Sequence, residues 1–249
     1  MKRMIILAAA MVLAVSMAVT PVMAAEATAT VDINSAYVWR GQTFNDGVVL
    51  QPSIDVAVGN GLGINVWGNY DIGNYDHAVE SNDFSEIDLT LSYSKTIGIV
   101  DLGLGVISYE FPAGAPETTE LYLSAGMPIV GGLSAGLTIY YDIEALDAFS
   151  YANLSLTYTH ALNDKLNLEA SGAIGYAGKD FSQAAGGEDG GLYDYSLSVS
   201  LGYTISKAWS ASAKVTYVDA LDDDNLKEVK DGGLLDTHTI CGVSIAYAF

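Results

Sequence analysis

Two groups of side chains in this 249-residue chain have types and spacings suited to chemistry. The first is a set of acids and amides, with one tryptophan among them, recurring at even spacings: Gln51 and Asp55, then Asn65, Trp67, Asn69 and Asp71, then Glu86 and Asp88. Glu120, Asp142, Glu169 and Asp194 continue it at wider intervals, and Lys214 is the one cation in the set. Residues two apart share a face of a strand, so these rows belong to one side of a sheet. Carboxylates around a water-filled space draw cations and tolerate small polar solutes. The second group is the three histidines, His77, His160 and His238. A hydrolase needs a nucleophile within reach of a histidine that a third group orients. His77 and His160 fall in polar connections, and the D-T-H-T-I around His238 matches no catalytic motif. No catalytic residue is therefore assigned, and the chain reads as a non-enzyme.

Metal and cofactor signals are equally thin. Asp219 to Asn225 is rich in oxygen ligands but lacks the alternating spacing and glycine of a calcium loop. Gly186 to Gly191 is followed by neither a lysine nor a helix pattern, so it reads as a loop and not a phosphate cradle. No metal and no cofactor is expected.

The elements that must carry the acidic rows follow from composition. Lys2 and Arg3, an apolar stretch from Met4 to Val19 and small residues around Ala24 form the layout of a secretory leader, expected over 1–24. The remainder, 25–249, then holds eight cations against thirty acids. So acidic a surface excludes nucleic acid as a partner, because phosphate binding needs clustered Lys and Arg. A single cysteine, Cys241, excludes an intrachain disulfide framework and reads as a small apolar residue on the last strand. Twenty-six glycines, sixteen tyrosines and no later apolar run of membrane-helix length point to β-structure.

Periodicity gives the class. Tyr195, Leu197, Val199, Leu201 and Tyr203 alternate with Ser196, Ser198, Ser200 and Gly202, a period of two over nine residues. Trp209 to Tyr217 repeats the pattern, and in both segments aromatic rings mark the two ends of the apolar face. Such a face spans roughly 20 Å along a membrane normal at ordinary barrel tilt. Twelve strands follow, near 29–40, 48–59, 62–72, 86–95, 99–109, 119–127, 133–142, 150–159, 166–176, 193–204, 208–218 and 238–249. The fifth slips near Ile107-Ser108-Tyr109, where a bulge is one explanation. Connections alternate short and long, as in outer-membrane barrels with short periplasmic turns and longer outside loops. The expected fold is all-β, an antiparallel up-and-down transmembrane β-barrel with both termini periplasmic. Trp39, Tyr141, Tyr176 and Tyr217 then fall at the outer rim, and Tyr93, Tyr158, Tyr203, Trp209, Tyr247 and Phe249 at the periplasmic rim. Expected partners are outer-membrane lipids and lipopolysaccharide, with the barrel-assembly machinery reached through a last strand ending at Phe249.

With the first three strands placed, S-A-Y-V-W-R-G-Q-T-F-N-D-G-V-V-L-Q-P-S-I-D-V and the following G-I-N-V-W-G-N-Y-D resemble the TorF-type porin family of exported bacterial proteins. The shared features, over roughly 35–71, are an early Tyr-x-x-Arg-Gly, a turn, a glutamine in the next strand and a Gly- and Trp-containing third strand. The chain departs from the family pattern at Pro52-Ser53. The resemblance implies an outer-membrane barrel with a pore, and supplies neither a substrate nor catalytic residues.

The functional expectation joins these lines. Charges on the inward face of such a barrel must line a lumen, since facing lipid costs several kcal/mol near the midplane. The chain reads as a porin-like channel for small polar solutes, preferring cations, with a barrel lacking an open pore as the alternative and a lipid-modifying enzyme behind both. Arg40 ends the first strand, just before the turn around Asn45-Asp46. Register alone sets it at the outer mouth, opposite Gln51 and beside Asn69 or Asp71.

Overall fold

The computed structural model describes residues 26–73, 81–112 and 114–249. The expected leader and His77 lie outside the described residues. Among the described residues there are fourteen strands: β1 (Glu26–Asn34), β2 (Tyr37–Trp39), β3 (Gln42–Asn45), β4 (Val49–Gly59), β5 (Leu62–Asp71), β6 (Asp83–Ile97) and β7 (Val100–Glu110). They continue with β8 (Thr118–Val130), β9 (Leu133–Asp142), β10 (Ala148–Ala161), β11 (Leu166–Ala177), β12 (Gly191–Thr204), β13 (Trp209–Ala220) and β14 (Thr239–Ala248). The short helix α1 (Lys179–Ala184) and a 3-10 turn at Val229–Asp231 lie in the connections.

Twelve of the strands close into one antiparallel barrel in sequence order. Closure runs through β1, which pairs with both β4 and β14, so that Ile33 faces Leu50 on one side and Val243 on the other. A closed barrel leaves no unpaired edge, which lets strands cross an apolar medium without stranding backbone groups. The outer face carries the apolar half of the alternation: Leu197, Val199 and Leu201 on β12 are all exposed, as are Leu102 and Leu104 on β7. Tyr93, Tyr141, Tyr158, Tyr176, Tyr203, Trp209 and Tyr217 are exposed on the same surface.

Glu26, where β1 begins, Phe249 and the five short turns share one end of the barrel, here the terminus end. Asn60 and Gly61 show how tight those turns are. Both have positive φ (53° and 86°), the two-residue geometry whose twist suits a hairpin, and a Cβ on Gly61 would run into the Ser94 carbonyl. The long connections gather at the opposite, loop end. Register shifts occur at both ends: between Phe149 and Tyr151 on β10 and between Ile174 and Tyr176 on β11 at the loop end, and between Ala57 and Gly59 on β4 and between Pro128 and Val130 on β8 beside the short turns.

Two expectations need correction. β7 holds continuous register from Val100 to Glu110 with no bulge. Its apparent slip arises because Ile107 and Tyr109 face inward as hydrophobic residues. The first strand does not run to Arg40. It stops at Asn34, where Ser35 stays with β14 by donating its amide to the Cys241 carbonyl and accepting the Cys241 amide on its hydroxyl. The chain then leaves the wall and folds inward. β2 and β3 pair only with each other, as a hairpin inside the barrel.

Candidate functional site

The infolded hairpin turns on Arg40 and Gly41, with Trp39 paired to Gln42 across them. Arg40 has φ 49° and Gly41 φ 74°. Left-handed backbone is cheap for glycine and costs other residues about 1–2 kcal/mol. The space is also closed to a side chain at position 41, because a Cβ would press on the Leu226 side chain and on Asp194. Arginine therefore sits at the tip in an unfavourable conformation, and its side-chain contacts must hold it there.

They do so in number. The guanidinium donates from Nη1 to Glu120 Oε1 at 2.8 Å and from Nη2 to Glu120 Oε2 at 2.7 Å, a two-pronged pair with both side chains buried. The rings of Trp39, Tyr140, Tyr151 and Phe181 surround its Cζ at 4.1, 4.2, 4.8 and 5.4 Å. Glu120 also accepts from the Tyr109 hydroxyl (2.9 Å) and the Ser150 hydroxyl (2.5 Å). Burial works against the Arg40 charge, but the bonds and attraction to Glu120 outweigh it and raise the pKa above its ordinary value. A planar fork matched to a carboxylate and stacked on aromatic faces is work for arginine and not for lysine.

The rest of the hairpin is bolted to the wall by the acids that alternation turns inward. Tyr37 donates its hydroxyl to Glu86 at 2.7 Å, and Asn45 donates its amide to Asp71 at 2.6 Å. Gln42 reaches the Tyr193 hydroxyl at 3.4 Å. The Thr43 amide donates to the Leu234 carbonyl, and its hydroxyl accepts the amides of Asp236 and Thr237, tying in the connection before β14. Tyr151, Phe181, Tyr193, Leu226 and Leu235 pack around Trp39 as one buried cluster. The loop end is thus filled by the hairpin, α1 and the 221–238 connection.

Arg40 is consequently not opposite Gln51. Gln51 pairs with Asp32, and Arg40 instead meets Glu120, eighty residues away. Gln51 does join Asn69, in a chain of amides: Asn34 donates to Gln51 (2.8 Å), Gln51 to Asn69 (3.0 Å) and Asn69 to Asp71 (2.9 Å). Trp39 is also displaced from its expected place at the outer rim, and Tyr37, which shares its strand face by alternation, goes inward with it. Tyr37 is buried against Trp67 and Phe44, and Trp39 is half-buried against Tyr109 and Phe181. Inside, each ring gains several aromatic partners, an arrangement that contributes beyond simple burial.

Asp142 caps the loop after β9, accepting the Thr118 hydroxyl and the amides of Glu144 and Leu146. Asp194 accepts the Tyr151 hydroxyl at 2.6 Å. Asp55 is exposed and accepts the Asn65 amide; Glu169 is half-buried on β11, and Lys214 is exposed on β13. Glu86 and Asp88 lie side by side on one face of β6, and the Asp88 Oδ1 has no hydrogen-bond partner. His238 Nδ1 lies 3.1 Å from the Val218 carbonyl and 3.4 Å from Asp219 Oδ1, and its ring stacks on Tyr217. Sequence reasoning missed Tyr109, Tyr140, Ser150, Tyr151 and Phe181. The available signal was aromatic residues on the inward parity near the loop end, such as Tyr140 beside the exposed Tyr141.

Beneath the hairpin tip the lumen opens. A cavity of about 380 Å³ lies between Arg40 and the terminus end, walled by Trp39, Trp67, Tyr109, Asn65, Asp88 and Asn153 among others. Inward residues grade from fully buried at the loop end (Asn69 and Asp71, 0 %) to exposed near the terminus end (Asp55, Ser94).

A family model described as "Bacterial protein of unknown function (Gcw_chp)" matches residues 18–242. No curated protein matches the sequence. Among solved structures the chain is similar to one titled "KdgM porin", with TM-score 0.55 and 14% identity over 89% of this chain and 99% of that one. It is also similar to a structure titled as the NanC porin, with TM-score 0.54 and 12% identity over 87% of this chain and 98% of that one. At these identities the likeness is one of fold.

Proposed function

The chain belongs to the Gcw_chp family of bacterial proteins of unknown function, and from that premise we propose that it is an outer-membrane, porin-like channel for small polar solutes with a preference for cations. The observation that carries the reading is the lumen below the hairpin: solvent-accessible toward the terminus end and walled by Asp55, Asp88 and Glu169 with few cations among them. The fold shared with two structures titled as porins agrees with it. In this reading 1–24 is a cleaved leader, both termini are periplasmic, the exposed apolar belt contacts membrane lipids, and the outside rim meets lipopolysaccharide. The last strand, ending at Phe249, is what the barrel-assembly machinery engages. Arg40 is then a clamp that fixes the hairpin across the outer mouth. Gln51, Asn69 and Asp71 brace the wall beside it, while Asp55, Trp67, Asp88, Glu169 and Lys214 line the path.

A second reading has its own support. Burial of the whole loop-end cluster favours a barrel whose lumen is a pocket open at one end, with a structural or surface role. Purified protein in planar bilayers separates the two. Stepwise current in salt supports the channel, and silence in every verified insertion supports the closed barrel.

A further inference from the structure

The cavity beneath Arg40 has a composition that selects a chemical class of ligand. Its wall includes five aromatic rings: Trp39, Tyr140 and Tyr151 already stack on Arg40, while Trp67 and Tyr109 do not. Arg40 also lines it, but that charge is already matched by both oxygens of Glu120. The remaining ionisable side chain on the wall is Asp88, with Glu86 two residues along the same face. Among the described residues neither carboxylate forms an ion pair. Tyr37 supplies one hydrogen bond to Glu86, and Asp88 Oδ1 has no partner. Carboxylates withdrawn from water this way call for a proton or a cation.

We infer that this cavity is a binding site for a small organic ammonium ion, a protonated amine or a quaternary ammonium. Two observations select it over a metal ion. No group of three or more metal-ligating side chains exists among the described residues, and aromatic rings supply no hard oxygen ligands. Rings do stabilise a weakly hydrated ammonium through the cation–π attraction, in the manner already shown by the guanidinium of Arg40 packed among four of them. A volume of about 380 Å³ lies in the small-molecule range. The inference deepens the cation preference proposed above and rests on the same lumenal charge.

Fluorescence tests it without requiring conduction. The chain has three tryptophans, of which Trp39 and Trp67 line the cavity and Trp209 is on the outer face. Detergent-purified protein titrated with tetramethylammonium chloride should give a saturable emission change that equal sodium chloride does not. Asp88→Asn should weaken the midpoint at least tenfold, and Trp67→Phe should reduce the amplitude. Asn153→Asp, which adds a carboxylate to the same wall, should tighten the midpoint, a gain that misfolding does not mimic. No saturable change, or midpoints unmoved in both Asp88→Asn and Asn153→Asp, overturns the site. Binding without bilayer current rejects the channel and keeps the site, whereas current without binding does the reverse.

Discussion

The Arg40 guanidinium and the Glu120 carboxylate meet through two hydrogen bonds of 2.8 and 2.7 Å, joining the tip of an infolded hairpin to the barrel wall. Breaking a buried pair by removing one partner costs about 3–5 kcal/mol, because the other charge stays buried. Arg40→Ala should lower stability by that amount in urea unfolding from lipid vesicles. Arg40→Lys should recover only part, since a point charge does not span both oxygens. The double replacement Arg40→Ala with Glu120→Ala should cost less than the two singles together. Strict additivity would remove the clamp from the account.

Gly41 tests the hairpin from its backbone. Ala there meets both a left-handed φ and the side chain of Leu226, so Gly41→Ala should loosen the tip while sparing the wall. Hydrogen exchange should quicken over 35–48 and stay unchanged in β10 to β13. Exchange that is unaltered at the hairpin contradicts the packing described.

The tryptophans report which rings face lipid. Trp209 is exposed on the outer surface, whereas Trp39 and Trp67 face the cavity. Vesicles of brominated lipid should quench the wild-type protein, and Trp209→Phe should remove most of that quenching. Equal quenching in the variant would return Trp39 to the lipid rim.

The amide chain has its own signature. Asn69 is fully buried between Gln51, Asp71 and Ser85. Asn69→Leu strands those partners, with a cost of about 1–3 kcal/mol for each group left unsatisfied. Thermal melts should show the loss, and Asn69→Asp should not restore it, because a second carboxylate beside Asp71 adds repulsion to the lost donor.

How far the sequence could be read follows from what alternation encodes. Residues 195–203 are a strand because apolar and small polar residues exchange without a miss, and the same signal locates every wall strand. Alternation fixes a face but does not say what covers it. Tyr37 and Trp39 continue the parity of Val31 and Ile33, so they read as lipid-facing although the chain has already left the wall. The inward acids were legible as a row, but their partners were not. Glu86 and Asp71 hold hairpin side chains, and Glu120 holds Arg40, through contacts bridging 26 to 80 residues of sequence. The helix α1 is a single short element inside a polar connection, with too few residues for a helical period to register. Gly41 directly after Arg40 was the strongest unused clue, since a non-glycine followed by glycine is what a two-residue hairpin turn requires.

The reversal potential across a potassium chloride gradient tests the central claim most directly. Single insertions of the purified protein in a planar bilayer should carry current that reverses toward the potassium equilibrium potential, and neutralising Asp55, Asp88 and Glu169 together should move it toward zero. A reversal toward the chloride potential, or bilayers that remain silent after verified insertion, would contradict a cation-preferring channel.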